Sequence, residues 1–530
     1  MIKGVSLPVN KSPMRFFMFW AVLFLVSLCG NAQEPTRRII DIVDVLHYAL
    51  DNSGAEELEF KNYQIQFTKL SGKSLFEYIS LTYPGKVKGE SIELPGRLLF
   101  NNCLFAKNID LENLIIKSLT FEKCIVDNFR ISNSRLESLK LDGNDISNSL
   151  ELNDNELNTL EIKGNKVGYE IFLEKDSIVG DVFIENNNVE TGEIVVSGIY
   201  VNGSITIGNN HVPGILIENS DFNFPEYGEF NNYKLTENIS SDLYLTGNKF
   251  YGDSTSNVYF NKGNYLNLDL RDNKFSVNVY FIENKAEERF FLVGNEFDGY
   301  VSFEKFLFSE TWNELYWRQL AGYKLRYGTY AGESSEELSD EIKFSNLINI
   351  YKGLHTIFLS RGDIESANAC YSEMKQLQGR KLKKVFKDDN SFGNFLRWQL
   401  NVLLKIYTNH GTDPALAVVM SFIVIVMFAL LYLFFPSEWD AESTNRLLIS
   451  YEQYLQRKKK SNVAPLLVVF GSVLLTLINA ITLSINSFVT LGFGSIPTKG
   501  FARYLCIIEG FIGWFLLSIF TVALINQVLA

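Results

Sequence analysis

The sequence predicts a multidomain chain: a right-handed parallel β-helix, then an α-helical neck, then an α-helical transmembrane module. Three observations carry this. A short apolar pattern recurs between about Leu98 and Val301. Two blocks near the C-terminus, Pro414 to Phe435 and Pro465 to Ala530, are almost free of charge. A glycine-containing loop stands just ahead of the last apolar segment.

The repeat reads apolar, any, apolar, two variable positions, Asn or Cys, any, apolar. It appears as LKLDGNDI from Leu139, LELNDNEL from Leu150, LEIKGNKV from Leu160 and VFIENNNV from Val182, and returns as LYLTGNKF from Leu243 and LDLRDNKF from Leu268. Alternation of period two is strand-like, and the Asn corner supplies a turn residue that tolerates left-handed dihedrals. Strands this short cannot bury a face alone; stacked coil upon coil, their first and third positions share a core, with two repeats, about 21 residues, per coil. The sixth position then forms a side-chain ladder along the stack. Cys103 and Cys124 occupy that slot and are expected as ladder cysteines, although an exported domain also permits a disulfide between them. The region resembles pentapeptide-repeat and related β-helix proteins in architecture, without their strict five-residue pattern. Acidic residues scatter through the variable positions, as on a solvated face, and no catalytic constellation is visible, so the chain is not expected to be an enzyme.

Lys3, Lys11 and Arg15 followed by the apolar run Phe16 to Leu28 and by Gly30-Asn31-Ala32 predict a signal peptide over 1–32, with the domain after it exported. Cys29 does not make a lipobox, because Leu28 before it is too large. The formal charge of −12 argues against a nucleic-acid partner. Five cysteines, one of them in the leader, make no disulfide framework, and four histidines without ligand spacing make a zinc site an unsuitable expectation. Cys370 and Cys506 are expected as buried free thiols. No cofactor is implied.

The expected boundaries follow: a cap region over 33–97, the β-helix over 98–308, the neck over 309–412, a transmembrane helix over 413–436 and a charged linker over 437–463. A pore helix and filter segment over 464–494 and an inner helix over 495–530 complete the chain. In the neck, Trp312, Tyr316 and Trp317 begin an aromatic-rich helix. Phe344 to Lys384 reads as a helical hairpin turning at Arg361-Gly362-Asp363, its seam including Ile357, Leu359, Ala367, Ala369, Tyr371 and Met374. The basic stretch QGRKLKKVFK, Gln378 to Lys387, suits either an acidic-lipid surface or a solvated helix face.

Asp413-Pro414 is a helix start, and Ala415 to Phe435 has the length and composition to cross a bilayer. A second such segment, from Phe501, is interrupted only by Arg503 near one end and Glu509 inside. Ahead of it stands INSFVTLGFG, Ile485 to Gly494, followed by SIPTKGFARY. This order is similar to the pore module of potassium channels, the two-transmembrane P-loop family: a spanning helix, a short pore helix, T-x-G-[YF]-G, then an inner helix. The resemblance covers roughly the last 120 residues. It implies a homotetramer in a cell membrane, the bacterial inner membrane. Backbone carbonyls of Thr490, Leu491, Gly492, Phe493 and Gly494 would replace the water shell of a potassium ion, and the Thr490 hydroxyl would add the ring nearest the cavity. Glycines at 492 and 494 reach backbone angles closed to other residues. A pore helix over about Thr476 to Val489 would aim its negative end at the ion cavity. Gly510 and Gly513 lie roughly where the family places a gating hinge, and close helix packing is the competing role. Ser495 stands where the family usually has Asp, and Phe493 replaces the commoner Tyr, so a filter brace is missing.

Export of the β-helix makes the first span run inward and places Arg457-Lys458-Lys459-Lys460 in the cytoplasm. Three topologies fit: a short third crossing over Pro465 to about Leu477, a reentrant segment over Pro465 to Val489 entering from the cytoplasm, or the usual two-span orientation without a leader. The alternative function is a membrane-tethered β-helix scaffold or adhesin with a non-conducting module. The ligand of the β-helix is not legible.

Overall fold

The computed structural model describes residues 37–52, 56–70, 72–94, 96–224, 232–252, 256–328, 338–435, 448–449, 452, 464–490 and 500–529. The expected leader and most of the expected 437–463 linker lie outside them. The described chain forms two compact units, one running to Gly299 and including Lys305–Glu314, the other made of Tyr300–Glu304 and the chain from Leu315.

The first unit is the parallel β-solenoid that the repeat predicts. Leu150 pairs with Ile171 and Arg135 with Glu156 in parallel register, and Asn144 contacts Asn165 one coil and 21 residues away. Alternation drives the fold: along Glu156–Lys163 the inward Leu157, Leu160 and Ile162 are no more than 1% exposed while their neighbours face solvent. Each such side chain contributes about 1.5–3 kcal/mol by leaving water. Farther along, Phe222, Phe250, Phe275 and Phe297 stack as a column, with ring centroids 5.0, 4.8 and 5.1 Å apart.

At the coil corners the residue before the inward Asn, not the Asn itself, takes the left-handed conformation. Asp154 (φ 56°), Gly164 (φ 65°) and Asn186 (φ 58°) precede Asn155, Asn165 and Asn187. That kink turns the following amide inward, where two ladders run. In one, Asn144, Asn165, Asn187, Asn210 and Asn238 follow one another; each Oδ1 accepts the previous Asn's backbone N–H and side-chain amide at 2.9–3.1 Å. Each side-chain amide also donates back to a carbonyl, Asn165 to Leu141 at 3.0 Å. The second ladder runs through Ser134, Asn155 and Asp176. It resumes with Ser220, Asn248, Asn273 and Asn295. Buried polar groups are tolerable here because they satisfy one another. Cys103 and Cys124 extend the first ladder as free thiols, with Asn144 Oδ1 accepting from the Cys124 N–H at 2.8 Å.

The coils begin before Leu98. Arg38–Asp41 pairs with Tyr63–Gln66, and Glu57–Lys61 with Arg97–Asn101. Helix α1 (Ile42–Asp51) starts on an Asp41 cap and buries Ile42, Val45, Leu46 and Ala49. Helix α2 (Leu75–Thr82) opens on a Ser74–Glu77 capping box. The coils also persist past Phe308: Trp312–Glu314 is a strand beside Arg289–Phe291, not the start of a helix. The helix there, α3 (Trp317–Leu320), has one turn. Backbone pairing with an existing coil edge outweighs the helical look of an isolated aromatic cluster.

In the second unit, α4 (Glu341–Ser360) and α5 (Ile364–Asp388) form the expected hairpin, turning at Gly362 (φ 71°), with Asp363 capping Ser366 N–H at 3.1 Å. Its seam includes Ala367 and Met374 as expected, but takes Phe358 in place of Ile357 and Leu359, and Cys370 in place of Ala369 and Tyr371. Phe344, Leu347, Tyr351, Leu354 and Phe358 face Ala367, Cys370, Met374 and Leu377, whereas Ile357, Leu359 and Tyr371 are half-buried and Ala369 is exposed. The phase is set from Phe344 at helical spacing. Glu373, 9% exposed, accepts from the Gly322 and Tyr323 N–H groups and the Tyr351 hydroxyl at 2.8–2.9 Å. Helix α6 (Phe392–Thr408) follows, and then α7 (Pro414–Phe434), α8 (Ala464–Val489) and α9 (Phe501–Leu529).

Candidate functional site

Helix α7 begins where Asp413 accepts the Leu416 N–H at 3.0 Å with Pro414 in the first turn. Its 21 residues carry no charge, and Val418, Val419, Phe422 and Ile423 are exposed along it. Helices α7 and α9 are long and apolar enough to cross a membrane. Large apolar residues facing outward suit a lipid solvent and no aqueous one.

Helix α8 has 26 residues and is therefore about 39 Å long. The sequence predicts a pore helix over about Thr476 to Val489, either after a short crossing over Pro465 to about Leu477 or as the end of a reentrant segment over Pro465 to Val489. The structure makes the whole stretch one helix, with no turn near Leu477. The reason is local: Pro465 sits in the first turn, where its missing N–H costs nothing, and Gly471 is the one weak helix former before Ser484 without a side chain.

The three helices share two clusters. Phe428, Ala429 and Tyr432 of α7 meet Ala480 and Leu483 of α8 and Ala502, Leu505 and Cys506 of α9. Ala417, Phe488 and Leu516 pack with Tyr407. Small residues let the backbones approach: a methyl group on Gly513 would lie 2.2 Å from the Phe488 carbonyl oxygen. Gly513 thus seats α9 on the end of α8, and Gly510, one turn earlier, is also buried.

Thr490 follows α8 directly; its N–H donates to Asn486 O at 3.0 Å and its side chain to the same oxygen at 2.5 Å. The filter-like motif therefore leaves from the carbonyl end of the helix, exposed at Thr490. Leu491, Gly492, Phe493 and Gly494 lie outside the described residues.

One group adds to what the motif indicates. Glu509, in α9, is 0% exposed, and its Oε2 accepts from the Tyr432 hydroxyl of α7 at 2.7 Å. Its Oε1 meets the Ser484 hydroxyl of α8, which also donates to Ile425 O at 2.8 Å. Tyr432 lies 3.3 Å from Cys506 Sγ as well. Each of the three apolar helices thus supplies one member of a buried polar cluster six residues before Thr490. The sequence signal for it is a lone carboxylate inside an apolar helix, which is costly unless partnered; its partners, 77 and 25 residues away, leave no local trace. Among the described residues no group of three His, Cys, Asp or Glu side chains is placed to hold a metal ion.

No family model, curated protein or solved structure matches the chain. Its layout is nevertheless specific: a β-solenoid joined to a helical region with two helices able to span a membrane.

Proposed function

We propose that the chain is the subunit of a homotetrameric potassium-selective channel. Ions pass through carbonyl rings of Thr490, Leu491, Gly492, Phe493 and Gly494, and the β-solenoid serves sensing or assembly. What supports this reading is Thr490, the first residue of T-L-G-F-G, at the carbonyl end of α8, with the apolar helix α9 that follows the motif in the sequence packed on α8. The helix end directs partial negative charge toward the motif, which favours a cation there. Glycines at 492 and 494 allow successive carbonyls to face one axis, and four copies close the ring. Gly510 marks the gating hinge of α9, while Gly513 serves the close packing of α9 on α8, and the solenoid lies outside the cytoplasm.

The test is potassium flux into liposomes carrying the purified tetramer, native against Gly492→Ala. The native protein is expected to pass potassium in preference to sodium, and the variant to lose that flux. An intact tetramer that passes no potassium would overturn the proposal, and would leave the solenoid as a membrane-tethered scaffold or adhesin.

A further inference from the structure

Helix α6 is built inside out for a water-soluble helix. Phe392, Leu396, Leu400 and Leu404 recur at four-residue steps, with Phe395 and Ile406 beside them, and all six are exposed, Phe392 to 77%. The protein covers the other side. Trp398 stacks on Phe386 of α5 with centroids 5.7 Å apart. Asn401 approaches α5 so closely that a methyl group on Gly379 would lie 2.2 Å from its Oδ1. At the end of α6, Tyr407 is 2% exposed and its hydroxyl lies 2.7 Å from Ser421 Oγ of α7. Polar and mixed residues thus make most of the protein contacts, Phe395 adds one to Phe386 of α5 with centroids 5.6 Å apart, and Phe392, Leu396, Leu400 and Leu404 stay exposed.

We infer that α6 lies in the membrane interface, its Phe392–Leu396–Leu400–Leu404 stripe in the acyl region and the cations beside it on anionic lipid headgroups. Two arguments select a lipid surface as the occupant. The helix that carries the stripe is tied at its end to the first turns of α7, where Val418, Val419 and Phe422 are also exposed, so exposed apolar residues flank this junction on both helices. Charge is complementary as well: Lys383 and Lys387 of α5 and Arg397 and Lys405 of α6 are exposed, on a chain whose formal charge is −12. Lys383 lies 5.8 Å from the Trp398 ring, which places the basic end of α5 alongside α6. An amphipathic helix with a basic flank binds at the headgroup boundary by these two forces together. The inference rests on the membrane part of the proposed function and not on ion conduction.

The experiment places a nitroxide spin label on single cysteines introduced into the full chain, with the unsubstituted protein as the labelling control. Leu396→Cys, Leu400→Cys and Arg397→Cys report on α6, and Phe422→Cys on α7, in liposomes of phosphatidylcholine with and without phosphatidylglycerol. Labels at 396, 400 and 422 are expected to be reached by oxygen and shielded from a water-soluble nickel chelate, and the label at 397 to be reached by the chelate. Phosphatidylglycerol is expected to move label 400 deeper. Combined Lys383→Gln, Lys387→Gln, Arg397→Gln and Lys405→Gln should abolish that shift. A label at 400 open to the chelate while 422 is shielded would overturn the inference and leave α7 as a span. Exclusion of both reagents at 400 would overturn it in favour of cover by a second copy. A water-exposed 422 would defeat the spanning helix itself. No effect of phosphatidylglycerol would remove the headgroup contacts.

Discussion

Asp176 occupies a ladder position that other coils fill with Asn or Ser, and this makes the solenoid's stability depend on pH. Its Oδ1 accepts from the Asn155 N–H at 2.8 Å and the Asn155 amide at 2.9 Å, but its Oδ2 is buried without a partner. Burial raises the carboxyl from its ordinary 3.8 to about 7; the two Asn155 bonds oppose the rise, and the nearby Asp154 and Glu174 carboxylates add to it. The folded state therefore holds a proton that the unfolded chain has released between about pH 4 and about pH 7. Stability is fullest below the unfolded value, falls as pH rises through that window and levels off above the folded value. At about 1.4 kcal/mol per pH unit, ionised Asp176 costs the fold on the order of 4 kcal/mol at high pH. Asp176→Asn removes the charge and supplies a donor that, by the geometry of the other rungs, reaches the Leu152 carbonyl, as Asn155 reaches Ile131 at 3.0 Å. Urea unfolding of the detergent-solubilised chain, followed by the β-sheet circular dichroism signal, is the assay. The variant should exceed the native protein by about 3–4 kcal/mol near pH 8 and by about 1 kcal/mol or less near pH 4. An identical pH slope in the two proteins would refute the reasoning.

Asn165→Ala deletes an acceptor of two bonds and a donor of two more, leaving the Asn144 N–H buried and bare. A loss of about 3–5 kcal/mol is expected by the same assay, against under about 0.5 kcal/mol for the exposed Asn158→Ala. Gly513→Ala drives a methyl group into the Phe488 carbonyl and should lower the thermal midpoint of the membrane unit, with overpacking costing about 1–3 kcal/mol. A double-mutant cycle of Tyr432→Phe and Glu509→Gln should give a coupling of about 0.6–1.7 kcal/mol in detergent unfolding; additive effects would show that the 2.7 Å contact contributes nothing.

The solenoid was legible because its information is local and repeated. Leu160-x-Ile162 with Asn165 specifies a strand, a face and a corner within six residues, and the same reading serves the next coil. The first coils were less legible: α1 and α2 interrupt them, so no run of repeats precedes Leu98. The hairpin's existence followed from Arg361-Gly362-Asp363, and buried Ala367, Cys370 and Met374 were legible; the rest of the seam was not, because Ala369 is also small enough to be inside and only the partner helix decides its side. The membrane module divides in the same way. A charge-free run marks α7, a run broken only by Arg503 and Glu509 marks α9, and T-L-G-F-G is a contiguous motif. The unbroken course of α8 depends on the absence of a strong breaker after Pro465, a weaker signal than a motif. The Glu509 cluster is wholly a product of tertiary approach.

The Asn ladder also gives the solenoid a direction of assembly. Every rung from Asn144 to Asn210 donates forward, its N–H and amide both bonded to the Oδ1 of the next coil, while the later Asn returns one bond to a carbonyl behind it. A finished coil thus presents two waiting donors and a waiting acceptor to whatever residue arrives next, and Asn in register satisfies all three. Because ribosomes deliver the N-terminal coils first, each completed turn is the template on which its successor is recognised. The ladder's polarity thus favours growth of the stack from its N-terminal end, the open donors always at the newest coil.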